Sequence, residues 1–294
     1  MPLILICALL ISTANAEAGQ TALAHLKLPL GARADGMGEA YSAVVTDVTA
    51  GWWNAAALPH LKATQFMFNH CSHFQGISLS HLGMATSFGK DGVGVGILTF
   101  SAGGIEYRER ATQEPIGTFD VLAFHPMLSY GRAIDPELSV GVTLMGLYEK
   151  IYEDEAAGIA FNGGVLYLPK FVKGARLAAV FQNFGPKFGL KSVTYPLPFR
   201  AKLGAAYGLG VREFGVTVAG DYVWPLHGEY KVNAGIELNY RSVVSLRTGY
   251  RWGHDTQSLS FGLGVSHGRL ALDYAYTPYR ELGTSHKVSL LVTP

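Results

Sequence analysis

The amino-acid sequence predicts an all-β fold: a transmembrane antiparallel β-barrel of about 14 strands with an N-terminal plug, or hatch, in its lumen. The first observation is that apolar and polar residues alternate with a period of two from about residue 62 to the end. The second is that only 15% of the 294 residues are charged, against about 25% in a typical soluble domain. The third is that no apolar run after the N-terminus is long enough for a transmembrane helix.

Residues 1–16, MPLILICALLISTANA, are interpreted as a cleaved secretory signal peptide. They form an apolar core that ends in Ala14-Asn15-Ala16, the small-x-small pattern that precedes a cleavage site. Cys7 leaves with this peptide, so the mature chain keeps Cys71 alone and has no internal disulfide.

Residues 17–61 do not alternate and are predicted to form the hatch. They are rich in small residues, and Trp52-Trp53-Asn54 follow near the end of the stretch. A segment without a strand pattern fits inside a barrel of this size as a plug. A disordered periplasmic tail is the alternative, which the aromatic and apolar content disfavours. The candidate hatch residues are Asp35, Glu39, Trp52, Trp53 and Asn54.

Residues 62–294 are predicted to form the barrel, and the C-terminal half shows the pattern best. From Glu229 to Arg241, the odd positions are polar or Gly and the even positions are apolar or aromatic. Pro126 interrupts the fourth candidate strand, so a bulge or a shifted boundary is expected there. The candidate strands start near Ala63, Gln75, Gly92, Phe119, Glu137, Ala156, Ala175, Phe199, Glu213, Gly228, Val243, Thr256, Gly268 and Gly283.

The apolar faces are predicted to contact lipid rather than the core of a soluble sandwich. Aromatic residues such as Tyr240 and Trp252 lie near segment ends, as in the interfacial girdles of outer-membrane barrels. Leu259, Phe261 and Leu263 are therefore expected to face outward. This interpretation predicts a location in the outer membrane of a Gram-negative-type cell, with membrane lipid as a partner.

A set of charged residues is predicted to face the lumen, and two interpretations stay open. In the first, they have a function: they line a path through the lumen or bind the acidic residues of the hatch, Asp35, Glu39 and Asp47. In the second, they are ordinary solvated residues of the lumen. The glycines at 92, 94 and 96 are interpreted as small lumen-facing positions that leave room for the plug. The charged set is Arg200, Lys202, Asp221, Lys231, Glu237, Arg241, Arg247, Arg251, Arg269, Asp273 and Lys287.

No enzyme, metal, cofactor or nucleic-acid function is predicted. The stretch 264–268 matches G-x-S-x-G, but it falls between two alternating strands, whereas a nucleophile elbow needs a strand, a turn and a helix. His70 and Cys71 would face opposite sides of a strand, so with His73 they do not converge on a metal. The 23 Lys and Arg residues against 22 Asp and Glu give no basic field for nucleic acid.

Both ends of the mature chain resemble the PorV/PorQ family of outer-membrane proteins, which is related to the FadL-type transporters. The resemblance is carried by HLKLPLGARADGMGEAYSAVVTDVTAGWWNAAAL near the N-terminus and by LALDYAYTPYRELGTSHKVSLLV at the C-terminus. It implies a fourteen-stranded barrel with a hatch and no catalysis. Where FadL-type hatches carry Asn-Pro-Ala, this chain has Asn54, Ala55 and Ala56, without the proline that would make the turn rigid.

The resemblance also implies a function, and two alternative functions stay open. PorV-type proteins act in protein export with a type IX secretion machinery, so secretion proteins or exported cargo are the implied partners. The alternative is a FadL-like passive channel for hydrophobic small molecules, which would take a hydrophobic ligand. A structural barrel without cargo is the third possibility.

Overall fold

The structure is a computed structural model, which describes residues 20–111, 113–190, 193–254 and 256–294. The predicted signal peptide, residues 1–16, lies outside them. Within these ranges fourteen antiparallel strands close into a barrel, because β1 pairs with both β2 and β14. The strands are β1 (Gln65–Ser72), β2 (Ile77–Phe88), β3 (Asp91–Tyr107), β4 (Gly117–Ala133), β5 (Leu138–Ile151), β6 (Asp154–Tyr167), β7 (Ala175–Phe184), β8 (Arg200–Val211), β9 (Phe214–Pro225), β10 (Lys231–Tyr240), β11 (Val244–Trp252), β12 (Leu259–His267), β13 (Leu270–Pro278) and β14 (Thr284–Val292).

The period-two pattern predicted the strands closely, and the fourteen-stranded barrel is confirmed. The largest difference in a strand start is three residues, at Lys231 and Leu259, where Gly228 and Thr256 were predicted. Alternation fixes strand positions well because each strand has one face that must be apolar and one that need not be.

The apolar faces point outward from the barrel. Leu259, Phe261 and Leu263 are 45%, 48% and 46% exposed, so they do not interdigitate in a sandwich core. Between them, Ser260 is fully buried on the inner face. The expected outward orientation of this strand is confirmed, and an apolar belt of this kind is what a lipid-facing barrel surface requires.

Aromatic rings gather near the ends of neighbouring strands. Tyr250 and Trp252 make an edge contact of 4.4 Å between ring centroids, and Tyr222 stacks on Tyr230 at 5.5 Å. At the other end of the barrel, Tyr240 contacts a phenylalanine of β9. These rings have the amphipathic placement of interfacial girdles.

The predicted bulge at Pro126 is wrong. The β4–β5 register is the same on both sides of it, with Phe124 opposite Tyr148 and Met127 opposite Met145. The ladder lacks pairs at His125 and Pro126 but gains no extra residue, because a proline removes one N–H donor and can still keep extended backbone angles.

The two ends of the barrel differ in their connections. At the turn end, where β1 starts, the connections are mostly tight; at the loop end they are mostly longer. The turn-end connections are 89–90, 134–137, 168–174, 212–213, 241–243 and 268–269; the loop-end connections are 73–76, 108–116, 152–153, 185–199, 226–230, 253–258 and 279–283.

Residues 20–61, called here the N-terminal segment, contain only short helices. These are a 3-10 turn (Ala24–Lys27), α1 (Ala32–Gly36), α2 (Ala50–Trp53) and a second 3-10 stretch (Ala55–His60). No helix among the described residues has the length and apolar character to cross a membrane. The segment supplies much of the buried hydrophobic cluster, including Met37, Tyr41, Trp53 and Leu58, all fully buried.

Candidate functional site

The N-terminal segment runs along the inward-facing residues of the barrel from the loop end to the turn end. Near its start, the backbone N–H of Ala22 donates to the carbonyl of Pro196 in the connection between β7 and β8. Near its end, the Ser87 hydroxyl donates to the carbonyl of Leu61 at 2.5 Å. The residues that it contacts between these points come from strands all around the barrel.

Close approach of the segment to the wall depends on small residues of the strands. A Cβ added at Gly92 would lie 2.6 Å from the Leu58 carbonyl oxygen, and Gly94 also faces the Leu58 side chain. Gly96 instead faces His81 and Met127, which are themselves wall residues. Two of the three predicted small positions therefore make room for the segment.

A buried ionic cluster joins α1 to the wall. The Asp35 carboxylate accepts hydrogen bonds from the Arg251 guanidinium and, at 2.9 Å, from the Thr277 hydroxyl. The Lys287 ammonium lies 3.1 Å from the same carboxylate. Glu39 adds a second carboxylate 3.2 Å from Arg251 Nε. Two of the predicted hatch residues thus meet two of the predicted lumen cations.

A second chain of ion pairs starts from the same helix. Arg33 donates two hydrogen bonds of 2.8 Å to the Glu237 carboxylate. Arg247 donates to Glu237 at 2.6 Å and to Asp273 at 2.5 Å. The Glu237 carboxylate therefore accepts hydrogen bonds from two guanidinium groups. These bonds compensate for the loss of water around a buried charge.

Asp47 does not meet the wall cations. Its carboxylate accepts from the Tyr41 hydroxyl at 2.7 Å and from Thr49 within the segment itself. Asp221, on the wall, accepts instead from the Ser42 hydroxyl at 2.5 Å. The sequence shows only that both residues are acidic, so it could not predict that Asp47 bonds within the segment while Asp221 bonds across to it.

The predicted Trp52-Trp53-Asn54 cluster anchors the second half of the segment. Trp53 Nε1 donates to the Leu30 carbonyl at 2.9 Å, and the ammonium of Lys202 lies 4.4 Å from its ring centroid. The Trp52 carbonyl accepts from Gln182 of β7 at 2.6 Å. Asn54 accepts from the Ala56 N–H and so caps the second 3-10 stretch.

Arg241 and Arg269 are placed elsewhere than expected, so the prediction that they face the lumen is wrong. Both are exposed in turn-end connections, and Arg241 is ion-paired with Glu213. The strand before Arg241 ends at Tyr240, and Arg241 and Ser242 have φ values of 50° and 57°. Period-two alternation stops where such a turn begins.

The rest of the charged set faces inward or lines the lumen. Lys231 is partly buried and borders the cavity described below. The buried members are Arg200, Lys202, Asp221, Glu237, Arg247, Arg251, Asp273 and Lys287.

A cavity of about 130 Å³ lies at the loop end between the start of the N-terminal segment and β8–β10. Its apolar walls are formed by Leu28, Pro198, Phe199, Val223 and Leu226. We call it the loop-end cavity.

Charged groups border the same cavity. The Lys202 ammonium is buried and has no hydrogen-bond partner among the described residues. Burial lowers the pKa of His254 to about 4, so its ring is neutral at pH 7. The other charged residues of the lining are Lys27, Glu39, Arg200 and Lys231.

A histidine pair near the loop end was not singled out from the sequence. His25 Nε2 lies 2.7 Å from His125 Nε2, and the His25 ring stacks on Phe100 at 4.2 Å. Burial, and then the neighbouring His125, lower the pKa of His25 to about 3. The His25 ring is therefore neutral at pH 7, and the tautomers of the two rings decide which nitrogen donates. The sequence held no signal for this pair because its members are 100 residues apart.

The alternative sites considered from the sequence do not assemble. His70 is exposed and bonds to Ser80, Cys71 is buried beside Ser285, and His73 packs on Tyr279. In the part of the chain that the structure describes, no group of three His, Cys, Asp or Glu side chains is close enough to hold a metal. Ser266 and His267 lie at the end of β12, before a turn and not a helix.

No family model matches this chain, and no curated protein matches it in sequence. Solved structures do share its fold. The monoaromatic hydrocarbon channel CymD superposes with a TM-score of 0.62 at 11% identity, covering 90% of this chain and 96% of that one. The toluene transporter TodX of Pseudomonas putida gives 0.62 at 13%, covering 90% and 98%. A FadL homologue of Pseudomonas aeruginosa gives 0.59 at 10%, covering 90% and 99%. The chain thus shares the barrel fold of these three structures.

Proposed function

We propose that this chain is an outer-membrane channel for small hydrophobic molecules, with the N-terminal segment as the plug of its lumen. The observation that carries the proposal is the loop-end cavity, whose wall is partly apolar and which is bounded by the segment on one side and by β8–β10 on the other. A molecule that enters from the loop end reaches this cavity before the bulk of the segment.

The outer surface supports a membrane location. The exposed apolar belt and the aromatic rings at strand ends are the features of an outer-membrane barrel. In such barrels short turns face the periplasm and longer loops face outward, which orients the loop end to the cell exterior.

The class of cargo is supported by the fold. Two of the structures that share it are described as a monoaromatic hydrocarbon channel and a toluene transporter. The apolar part of the cavity wall suits a small hydrophobic molecule, because burial of apolar surface lowers the free energy of that molecule. This supports the passive-channel hypothesis over protein export.

The experiment is uptake of radiolabelled toluene by cells of a Gram-negative host that lacks its own hydrocarbon channels and expresses the full chain. Val223 faces inward and lines the loop-end cavity, whereas Val218 of the same strand is 48% exposed on the outer face. Val223→Trp fills the cavity, and we expect uptake to fall to nearly that of cells without the protein. Val218→Trp is the matched control and should leave uptake unchanged.

Folding of each variant is checked by its heat-modifiable migration in detergent gels. Equal uptake by the wild type and Val223→Trp would overturn the channel proposal. So would crosslinking in intact cells that recovers exported protein while no toluene uptake is seen, and this result would favour the export role that the PorV/PorQ resemblance implies.

A further inference from the structure

Two cavities adjoin at the turn end of the barrel, opposite the loop-end cavity. One measures about 770 Å³ and the other about 420 Å³. They share the lining residues Thr46, Gly174 and Arg176, and together we call them the turn-end vestibule. The vestibule lies between the N-terminal segment and the wall from β6 to β10.

The charged side chains of the vestibule are all cationic. The larger cavity is lined by Lys62, Lys170, Lys173 and Arg176, and the smaller by Arg33 and Arg176. Neither lining contains an Asp or Glu among the described residues. Because the whole chain has a net charge of only +1, this is a local concentration of positive charge.

Only some of these cations have partners. Arg33 is held by two hydrogen bonds to Glu237, and the Lys170 ammonium lies 3.3 Å from Glu137. Lys62, Lys173 and Arg176 have no side-chain hydrogen bond or ion pair with any other described residue. Three cations thus face one cavity without a direct ion pair among the described residues, and the Glu237 carboxylate, already paired with Arg33 and Arg247, acts on Arg176 only through space.

Arg176 is the central group. It is half-buried on β7, on the same inward face as Ala178 and Val180, and it lines both cavities. A guanidinium carries five N–H donors in a planar fork that matches two oxygens of a carboxylate or phosphate. A half-buried fork without acceptors therefore points to an oxyanion as its partner.

Thr46 supplies a further donor beside Arg176. Its hydroxyl oxygen accepts from Arg33 at 2.8 Å, which leaves the hydroxyl proton free for a ligand oxygen. Apolar residues, among them Val45, Leu166 and Leu168, line the same cavity beside the cationic groups.

We propose that the turn-end vestibule binds a small anion through its carboxylate or phosphate oxygens, with Arg176 as the principal partner. The anion is either a free solute or the headgroup of an anionic phospholipid. This inference goes beyond the channel function, since equilibrium binding at the turn end needs no passage through the lumen.

The test is calorimetric titration of the full chain, purified in a neutral detergent and freed of lipid, with hexanoate, hexanol and inorganic phosphate. We expect hexanoate and phosphate to bind and hexanol to bind far more weakly. Arg176→Gln should weaken binding of both anions about tenfold or more, because a charge-assisted pair is lost. Added salt should weaken it as well.

Arg241→Gln is the matched control, because it removes the same charge at the same end of the barrel outside the vestibule, and it should leave both affinities unchanged. Lys173→Gln, in an exposed connection, gives a second variant that does not disturb a strand and should weaken binding about two- to threefold. Failure of both anions to bind, or equal effects of the Arg176 and Arg241 variants, would overturn the proposal.

Native mass spectrometry with phosphatidylglycerol and phosphatidylcholine distinguishes the two sources of the anion, a lipid headgroup and a free solute. Phosphatidylglycerol retained by the wild type but lost in Arg176→Gln identifies a lipid headgroup. If hexanoate and phosphate bind but neither lipid is retained, the ligand is a free solute. Loss of toluene uptake in Val223→Trp is independent of all these outcomes, so the two proposals fail separately.

Discussion

At the scale of single residues, Asp35 is one of the groups that join α1 to the barrel wall. Its side chain is fully buried and faces two cations, Arg251 of β11 and Lys287 of β14. Buried cations tolerate their location only while a counter-charge is present. The carboxylate therefore stabilises the wall as much as the segment.

We predict that Asp35→Asn lowers the free energy of unfolding by about 3 to 5 kcal/mol, because it leaves two buried cations under-compensated. The measurement is urea unfolding of the protein in lipid bilayers. Asp91→Asn is the control: its partner Arg132 is 53% exposed, and such a pair is worth less than about 1 kcal/mol. Similar losses in the two variants would contradict the role assigned to Asp35.

At the scale of elements, close contact between strand backbone and the N-terminal segment adds to the side-chain contacts that hold the segment in place. The second 3-10 stretch, Ala55–His60, packs against β3, β4 and β5 where inward glycines lie. Without a Cβ on the wall, backbone can approach backbone. A side chain at such a position must push the segment away.

We expect Gly92→Val to displace the end of the segment, since even its Cβ would be 2.6 Å from the Leu58 carbonyl oxygen. Overpacking of this kind costs about 1 to 3 kcal/mol. The measurement is limited trypsin digestion with mass spectrometry, in which cleavage after Lys62 should become faster. Gly117→Val, at a strand position with no neighbouring atoms within 4 Å, is the control and should be cleaved like the wild type.

At the scale of the whole molecule, the direction of the apolar faces decides the environment. The outer faces of the strands carry large exposed hydrophobic residues, while buried polar and charged residues point inward. This arrangement is the reverse of a soluble sandwich and suits a barrel in lipid.

A charge scan along β12 tests this arrangement. Leu263 lies at the middle of the strand and Leu259 at its loop end, and both are exposed on the outer face. In a bilayer, Leu263→Arg should cost about 2 to 4 kcal/mol and Leu259→Arg about 0 to 1 kcal/mol, because the cost depends on depth. Unfolding in lipid vesicles measures both. Equal, small costs would indicate that the face contacts water.

The sequence predicted the strands well and the turns less well, for a physical reason. Strand positions were predicted to within three residues because alternation is a local property of each strand. The misplacement of Arg241 came from a turn that overrode the alternation, and the expected bulge at Pro126 was not needed because extended backbone tolerates a proline.

The amino-acid sequence by itself predicted a barrel of about fourteen strands, the outward-facing side of the C-terminal strands and a charged lumen. Only the tertiary structure decided which charges meet, such as Asp35 with Lys287 and Asp221 with Ser42, and where cavities remain at the two ends. These pairs join residues 252 and 179 positions apart. The two members of each pair meet because the barrel closes around the segment. The path of the segment through the lumen cannot be predicted from a local sequence pattern.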